Sequence, residues 1–217
     1  MKLNNKRTIL VGLAFLSICA FWQMYDSIVP LILTKTFHMN ETFSGAIMAA
    51  DNILALFLLP FFGSVSDKSH SKLGKRMPFI LFGTGCAIIL MNILPLLDNS
   101  YAAQPSGFKT ASFVIVLGLL LVAMGTYRAP AVALMPDVTP KPLRSRANAI
   151  INLMGAVGGI LYLGVAAVLY PNSKTAGLDH VNYQPLFIVV SAIMFVAVAV
   201  LFLTIREPKL TAENQAL

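Results

Sequence analysis

The 217-residue sequence is 57% hydrophobic and 12% charged, with a net charge of +7 and a mean hydropathy of +0.77. Soluble domains carry about a quarter of their residues as charges, so composition excludes a water-soluble globule and points to an integral membrane protein. The basic residues cluster between apolar runs, where insertion bias and anionic lipid account for them and nucleic acid does not.

The first apolar run follows Lys2, Lys6 and Arg7 and extends over residues 8–33. That is well beyond the ~7–15 residues of a signal-peptide core, and no small-residue cleavage site closes it, so a first transmembrane helix is expected. Five further runs occupy about 43–62, 78–97, 110–135, 147–170 and 185–205. Each holds about 20 residues or more, enough to cross ~30 Å of hydrocarbon. The expected fold is all-α, with six transmembrane helices in one domain over residues 1–217 and short polar connections between them. Cys19 and Cys86 each fall inside an apolar run, which encodes neither a disulfide framework nor a zinc site.

Orientation follows from the Lys and Arg residues. The N-terminus, the 2–3 connection, the 4–5 connection and the C-terminal tail carry twelve, against three on the other side (Lys35, Lys109 and Lys174). The positive-inside bias therefore places both termini in the cytoplasm, in a plasma or inner membrane.

Three charges lie within apolar runs: Asp26 in "FWQMYDSIVP", Asp51 in "MAADNILAL" and Arg128 in "GTYRAP". Intramembrane charges cost about 2.5–3.5 kcal/mol on insertion scales and so mark function or a buried partner. At 1.5 Å per residue, Arg128 lies roughly 10 Å from the cytoplasmic end, Asp51 roughly 16 Å and Asp26 roughly 27 Å. Asp51 and Arg128 are thus within reach of each other if helices two and four are neighbours. They form a candidate coupling or gating pair, with a structural ion pair as the alternative. Trp22, Gln23, Tyr25 and Asp26 span about one turn beside Pro30 and combine an aromatic platform with polar handles, the chemistry that binds sugars. Asn152, four residues after Asn148, adds a polar position on helix five, so the candidate solute site is Trp22, Gln23, Tyr25, Asp26 and Asn152. No cluster of His, Cys and acids gathers at one depth, so no catalytic or metal site and no cofactor is expected.

The connection "GSVSDKSHSKLGKRMP", residues 63–78, is dense in charge between two apolar runs. Its Gly63, Asp67, Lys68, Gly74, Lys75 and Arg76 resemble the loop between helices two and three of the major facilitator superfamily. The spacing from Asp67 to Gly74, followed by Lys75, Arg76 and Pro78, is similar to the glycoside-pentoside-hexuronide carriers and the sucrose-transporter-like carriers. "TYRAPAVALMPDVTP", residues 126–140, continues that similarity through Arg128 and Asp137, and on to Arg144 just beyond it.

The resemblance implies one six-helix half, a 3+3 inverted repeat, of a twelve-helix secondary transporter working by alternating access. Its solute would be small and polar, most fittingly a sugar, and the 63–76 loop would latch one half to the other. Where sodium-coupled members carry acids on helix two, this chain has Ala55 and Leu59, and Arg128 stands where they carry an acid on helix four. A proton becomes the candidate coupling ion. The second half would come from a longer chain, from a second copy or from a different subunit. A non-transporting membrane subunit or sensor that keeps the fold is the alternative.

Overall fold

The computed structural model describes residues 3–215, so Lys2, counted above among the N-terminal cations, lies outside the described residues. Lipid offers backbone N–H and C=O groups no partners, and each apolar run therefore closes its hydrogen bonds within a helix. In chain order the helices of the described residues are α1 Asn5–Leu31, α2 Glu41–Asp67, α3 Met77–Ala103, α4 Gly107–Val138, α5 Arg144–Leu169, the single polar turn α6 Asn172–Thr175, α7 Gln184–Thr204 and the polar α8 Glu207–Gln215. Six of them, α1 to α5 and α7, are long and apolar enough to cross a membrane.

Local chemistry sets the helix ends. The Asn4 side chain accepts from the Arg7 N–H at 3.1 Å, and the Asn40 side chain from the Phe43 N–H at 2.7 Å. Proline occupies the first turn of both α3 and α7, where its missing N–H leaves no bond unmade. Past Pro30, α1 continues as a π-helical segment, Ile32–Thr36, and His38, at φ 51°, redirects the chain into α2.

Helices α2, α3 and α4 outrun at both ends the apolar spans from which they are expected. An apolar run measures only the part of a helix in hydrocarbon, and the backbone stays helical through the polar layer until a cap stops it. Helix α2 therefore reaches Asp67 and α3 reaches Ala103. Gly63 and Asp67 thus sit in the last turns of α2, and Asp98 lies within α3.

Helix α1 packs along α5 and α7, α4 packs along α2 and α3, and α3 packs along α7. Exchanging the first three spans for the last three, in order, returns the same set of pairs, which is the signature of a 3+3 inverted repeat. Helix α1 is the most enclosed span, whereas only Ser44 and Ser66 are buried on α2.

Small residues permit the closest approaches. A Cβ at Gly158 would stand 2.0 Å from the Leu16 carbonyl oxygen, and one at Gly83 2.7 Å from the Tyr127 nitrogen. Gly85 and Gly164, by contrast, face open space. Helix α4 is also pinned to α1 by the Tyr127 hydroxyl, which donates to the Ala14 carbonyl at 3.0 Å and meets Ser17 Oγ. Tyr127→Phe is expected to cost about 1 kcal/mol. A lower unfolding midpoint of the purified chain in detergent checks this, and an unchanged midpoint counts against the pin.

Candidate functional site

Helices α1, α2 and α4 enclose a small cleft whose polar lining is Trp22, Asp51 and Arg128, set among Leu54, Leu58 and Gly125. Its volume of about 20 Å³ holds little more than one water molecule. The Arg128 guanidinium carbon lies 5.6 Å from the centre of the Trp22 ring, within cation–π range. Asp51 instead accepts from the Asn52 side chain at 2.7 Å, and among the described residues it makes no ion pair with Arg128 within 4.0 Å. The structure thus brings the two charges to one cleft, with the cation over the aromatic ring and no ion pair to the carboxylate among the described residues.

At about 100° per residue, Gln23 points about 100° away from Trp22 around α1, Asp26 falls between them, and Tyr25 falls about 60° to the other side. Trp22 accordingly faces α2 and α4, while Gln23 faces α5, where its Oε1 lies 3.8 Å from the position of a Cβ on Gly159. Asp26, between them, is exposed, as is Asn152 on α5. Tyr25 points inward and is 0% exposed. It stands edge-on to Trp22 at 5.3 Å, bracing that ring rather than lining the open face beside Asp26. The Trp22 Nε1 and the Tyr25 hydroxyl are both buried and have no hydrogen-bond partner among the described residues.

The loop residues form a second cluster, at the end of the bundle that carries both chain ends. Arg76, 5% exposed, donates through Nε to Asp137 at 2.9 Å, and its other nitrogens bond Asp67, Ser66 and the Gly63 carbonyl. One planar fork thereby ties the end of α2 to the end of α4. Burial alone would lower the pKa of Arg76, but the carboxylates of Asp137 and Asp67 outweigh it and raise the value. Asp67 closes α2 at the negative end of its dipole, where a cation partner is needed.

Glu207, 2% exposed, accepts from the backbone N–H groups of Lys75, Arg76 and Met77 at 2.8 to 3.1 Å and so caps α3 from the start of α8. Gly74, at φ 112°, leaves the space that this carboxylate fills. Lys68 and Lys75 keep their side chains exposed.

A third cluster sits at the opposite end. His180, in the connection before α7, meets Thr36 Oγ1 at 3.2 Å through Nδ1 and Asn99 Oδ1 at 2.9 Å through Nε2. Asp98, 0% exposed, lies beside Thr36 and His180, and among the described residues neither carboxylate oxygen makes a hydrogen bond of good geometry. Sequence inspection misses Asp98 because the apolar run stops at residue 97. It misses Glu207 because its partners lie 130 to 132 residues earlier, although an acid this close after the last span is a signal.

Residues 11–216 match the Major Facilitator Superfamily, and the chain belongs to that family of membrane transporters. It is 35% identical over 158 residues to sucrose transport protein SUC3 of Arabidopsis thaliana, a match covering 67% of this chain and 26% of that protein. Similarity also extends to sucrose transport protein SUT3 of Oryza sativa subsp. indica, 36% identical over 64% of this chain and 30% of the relative. Solute carrier family 45 member 3 of Homo sapiens is 25% identical over 84% of this chain and 34% of the relative. The chain therefore matches about a third or less of the length of these relatives.

Proposed function

We propose that this chain is one half of a secondary transporter that moves a small polar solute, most fittingly a sugar, by alternating access. The observation that carries the proposal is the polar face around Trp22. An aromatic ring whose indole N–H has no partner among the described residues, a cation held over it and an acid across the cleft stand beside the exposed Asp26 of a membrane-spanning helix. Such a face in lipid costs several kcal/mol unless something polar covers it. Similarity to sucrose transport proteins supports a sugar as the solute.

A cleft the size of one water is a wall rather than a pocket, so solute binding needs a second six-helix half. That half comes from a longer chain, a second copy or another subunit. With the basic clusters cytoplasmic, the Arg76 cluster lies at the inner surface of the cell membrane, and the side chain of Asp67, 62% exposed, stays within reach of the other half. A proton is the coupling ion we favour, with Asp26 as its carrier. In proteoliposomes holding the assembled transporter, Asp26→Asn is expected to abolish proton-driven sugar uptake with no change in melting temperature, because the side chain has no structural partner among the described residues. Undiminished pH-dependent accumulation by that variant removes Asp26 from the mechanism.

A further inference from the structure

At the end of the bundle that carries both chain ends, α1, α7 and α8 border a groove of about 350 Å³ lined by Lys6, Arg7, Arg206 and Lys209. A second groove, of about 410 Å³, lies on the other flank of Arg206 and Lys209, with Lys72 on its wall and Phe202 and Leu203 beneath. Among the described residues Glu213 is the only acid on either lining, and it faces Arg7 at 4.0 Å. Lys6, Lys72, Arg206 and Lys209 make no ion pair within 4.0 Å among the described residues.

These cations differ from those on the exposed loops in their depth and in their anchoring. Arg206 and Lys209 come two and five residues after Thr204, the last residue of the apolar helix α7, so they stand near the level where hydrocarbon meets headgroups. Glu207, between them, is turned inward and tied to the start of α3, which holds its two basic neighbours outward before any ligand arrives. One turn deeper, the α1–α7 seam continues as an apolar groove of about 460 Å³ between Leu13 and Leu16 on α1 and Val196 and Val200 on α7. The order along one helix pair is basic groove, then apolar groove.

We propose that this end of α1, α7 and α8 is a binding site for an anionic phospholipid. Arg206, Lys209 and Lys6 hold its phosphate, and an acyl chain lies in the α1–α7 groove. A zwitterionic lipid fills the apolar groove equally well but brings a cation to a wall that already carries several. A free phosphate satisfies the basic residues but leaves the apolar groove unused. Each basic residue contributes about fivefold to the affinity, from the ~1 kcal/mol per cation typical at an anionic surface.

The test is native mass spectrometry of the full chain in detergent with phosphatidylglycerol or phosphatidylcholine of identical acyl chains, alongside melting temperatures with each lipid and with inorganic phosphate. Phosphatidylglycerol is expected to stay bound and to raise the melting temperature, with phosphatidylcholine and inorganic phosphate doing neither. In Arg206→Gln/Lys209→Gln, affinity for phosphatidylglycerol should fall on the order of 20-fold, while Lys174→Gln, at the opposite end, leaves it unchanged. Equal retention of the two lipids by the parent chain overturns the proposal, as does stabilisation by inorganic phosphate equal to that by phosphatidylglycerol. The parent chain decides both of these even if the double variant folds poorly, and a folded double variant that binds phosphatidylglycerol like the parent overturns it too.

Discussion

Gly158→Ala is expected to lower the stability of the purified chain by about 3 kcal/mol, the upper end of what over-packing costs. The new methyl carbon would stand 2.0 Å from the Leu16 carbonyl oxygen and 2.8 Å from its carbon, and backbone atoms cannot swing aside as a side chain can. Relief requires α1 and α5 to move apart along the seam where Gly12 and Gly155 also lie close to the opposite helix. Gly155→Ala meets only Cys19 Sγ at 2.9 Å, the movable end of a side chain, and its effect should be about 1 kcal/mol. Gly164→Ala, facing open space, serves as the neutral control. Thermal unfolding in detergent orders the three, and a Gly158→Ala protein melting with the control contradicts the close seam. Since Gln23 faces α5 from α1, the same variant should also impair transport by the assembled protein.

The second large effect is expected at Arg76. Arg76→Gln leaves the Asp67 and Asp137 carboxylates facing one another without their shared cation and removes donors to Ser66 and the Gly63 carbonyl. Breaking a buried pair costs about 3–5 kcal/mol, and because Asp67 is largely exposed the lower end applies, about 3 kcal/mol. Arg76→Lys should recover little, since one ammonium cannot reach four acceptors spread around a planar fork. Asp67→Asn should cost less than Asp137→Asn, in line with side-chain exposures of 62% and 29%. Equivalent losses at the two aspartates would mean that burial does not govern this cluster. Chemical denaturation of the single variants in mixed micelles measures all four.

The helices were legible because an apolar run in lipid has one way to satisfy its backbone. Their ends were less so, because hydropathy stops at the hydrocarbon boundary while α2 and α3 run past it to Asp67 and Ala103. Asp26, Asp51 and Arg128 stand out as charges in apolar runs, and counting residues from the span ends places Asp51 and Arg128 within reach of each other. The α2–α4 contact then brings both to one cleft. The position of the Arg128 guanidinium over Trp22, rather than on Asp51, depends on the roll of α1 against α4, which no spacing encodes. Tyr25 shows the same limit: a single turn that looks uniformly polar in sequence divides between an open face and the core. Asp98, His180 and Thr36 come together across 144 residues of chain, a separation at which sequence pattern carries no information about proximity.

The cap on α3 has a consequence for how the protein is made. Glu207 is synthesised 131 residues after the Arg76 N–H that it serves. At ribosomal speeds of about 5–20 residues per second that delay is roughly 7–26 s. Throughout it the turn between the second and third spans holds three amide groups whose final acceptor does not yet exist, next to an arginine already able to bind Asp67. A nascent chain arrested before Glu207 therefore has five or six inserted helices but an unsealed end, open to water, to headgroups and to proteases that sample unfinished membrane proteins.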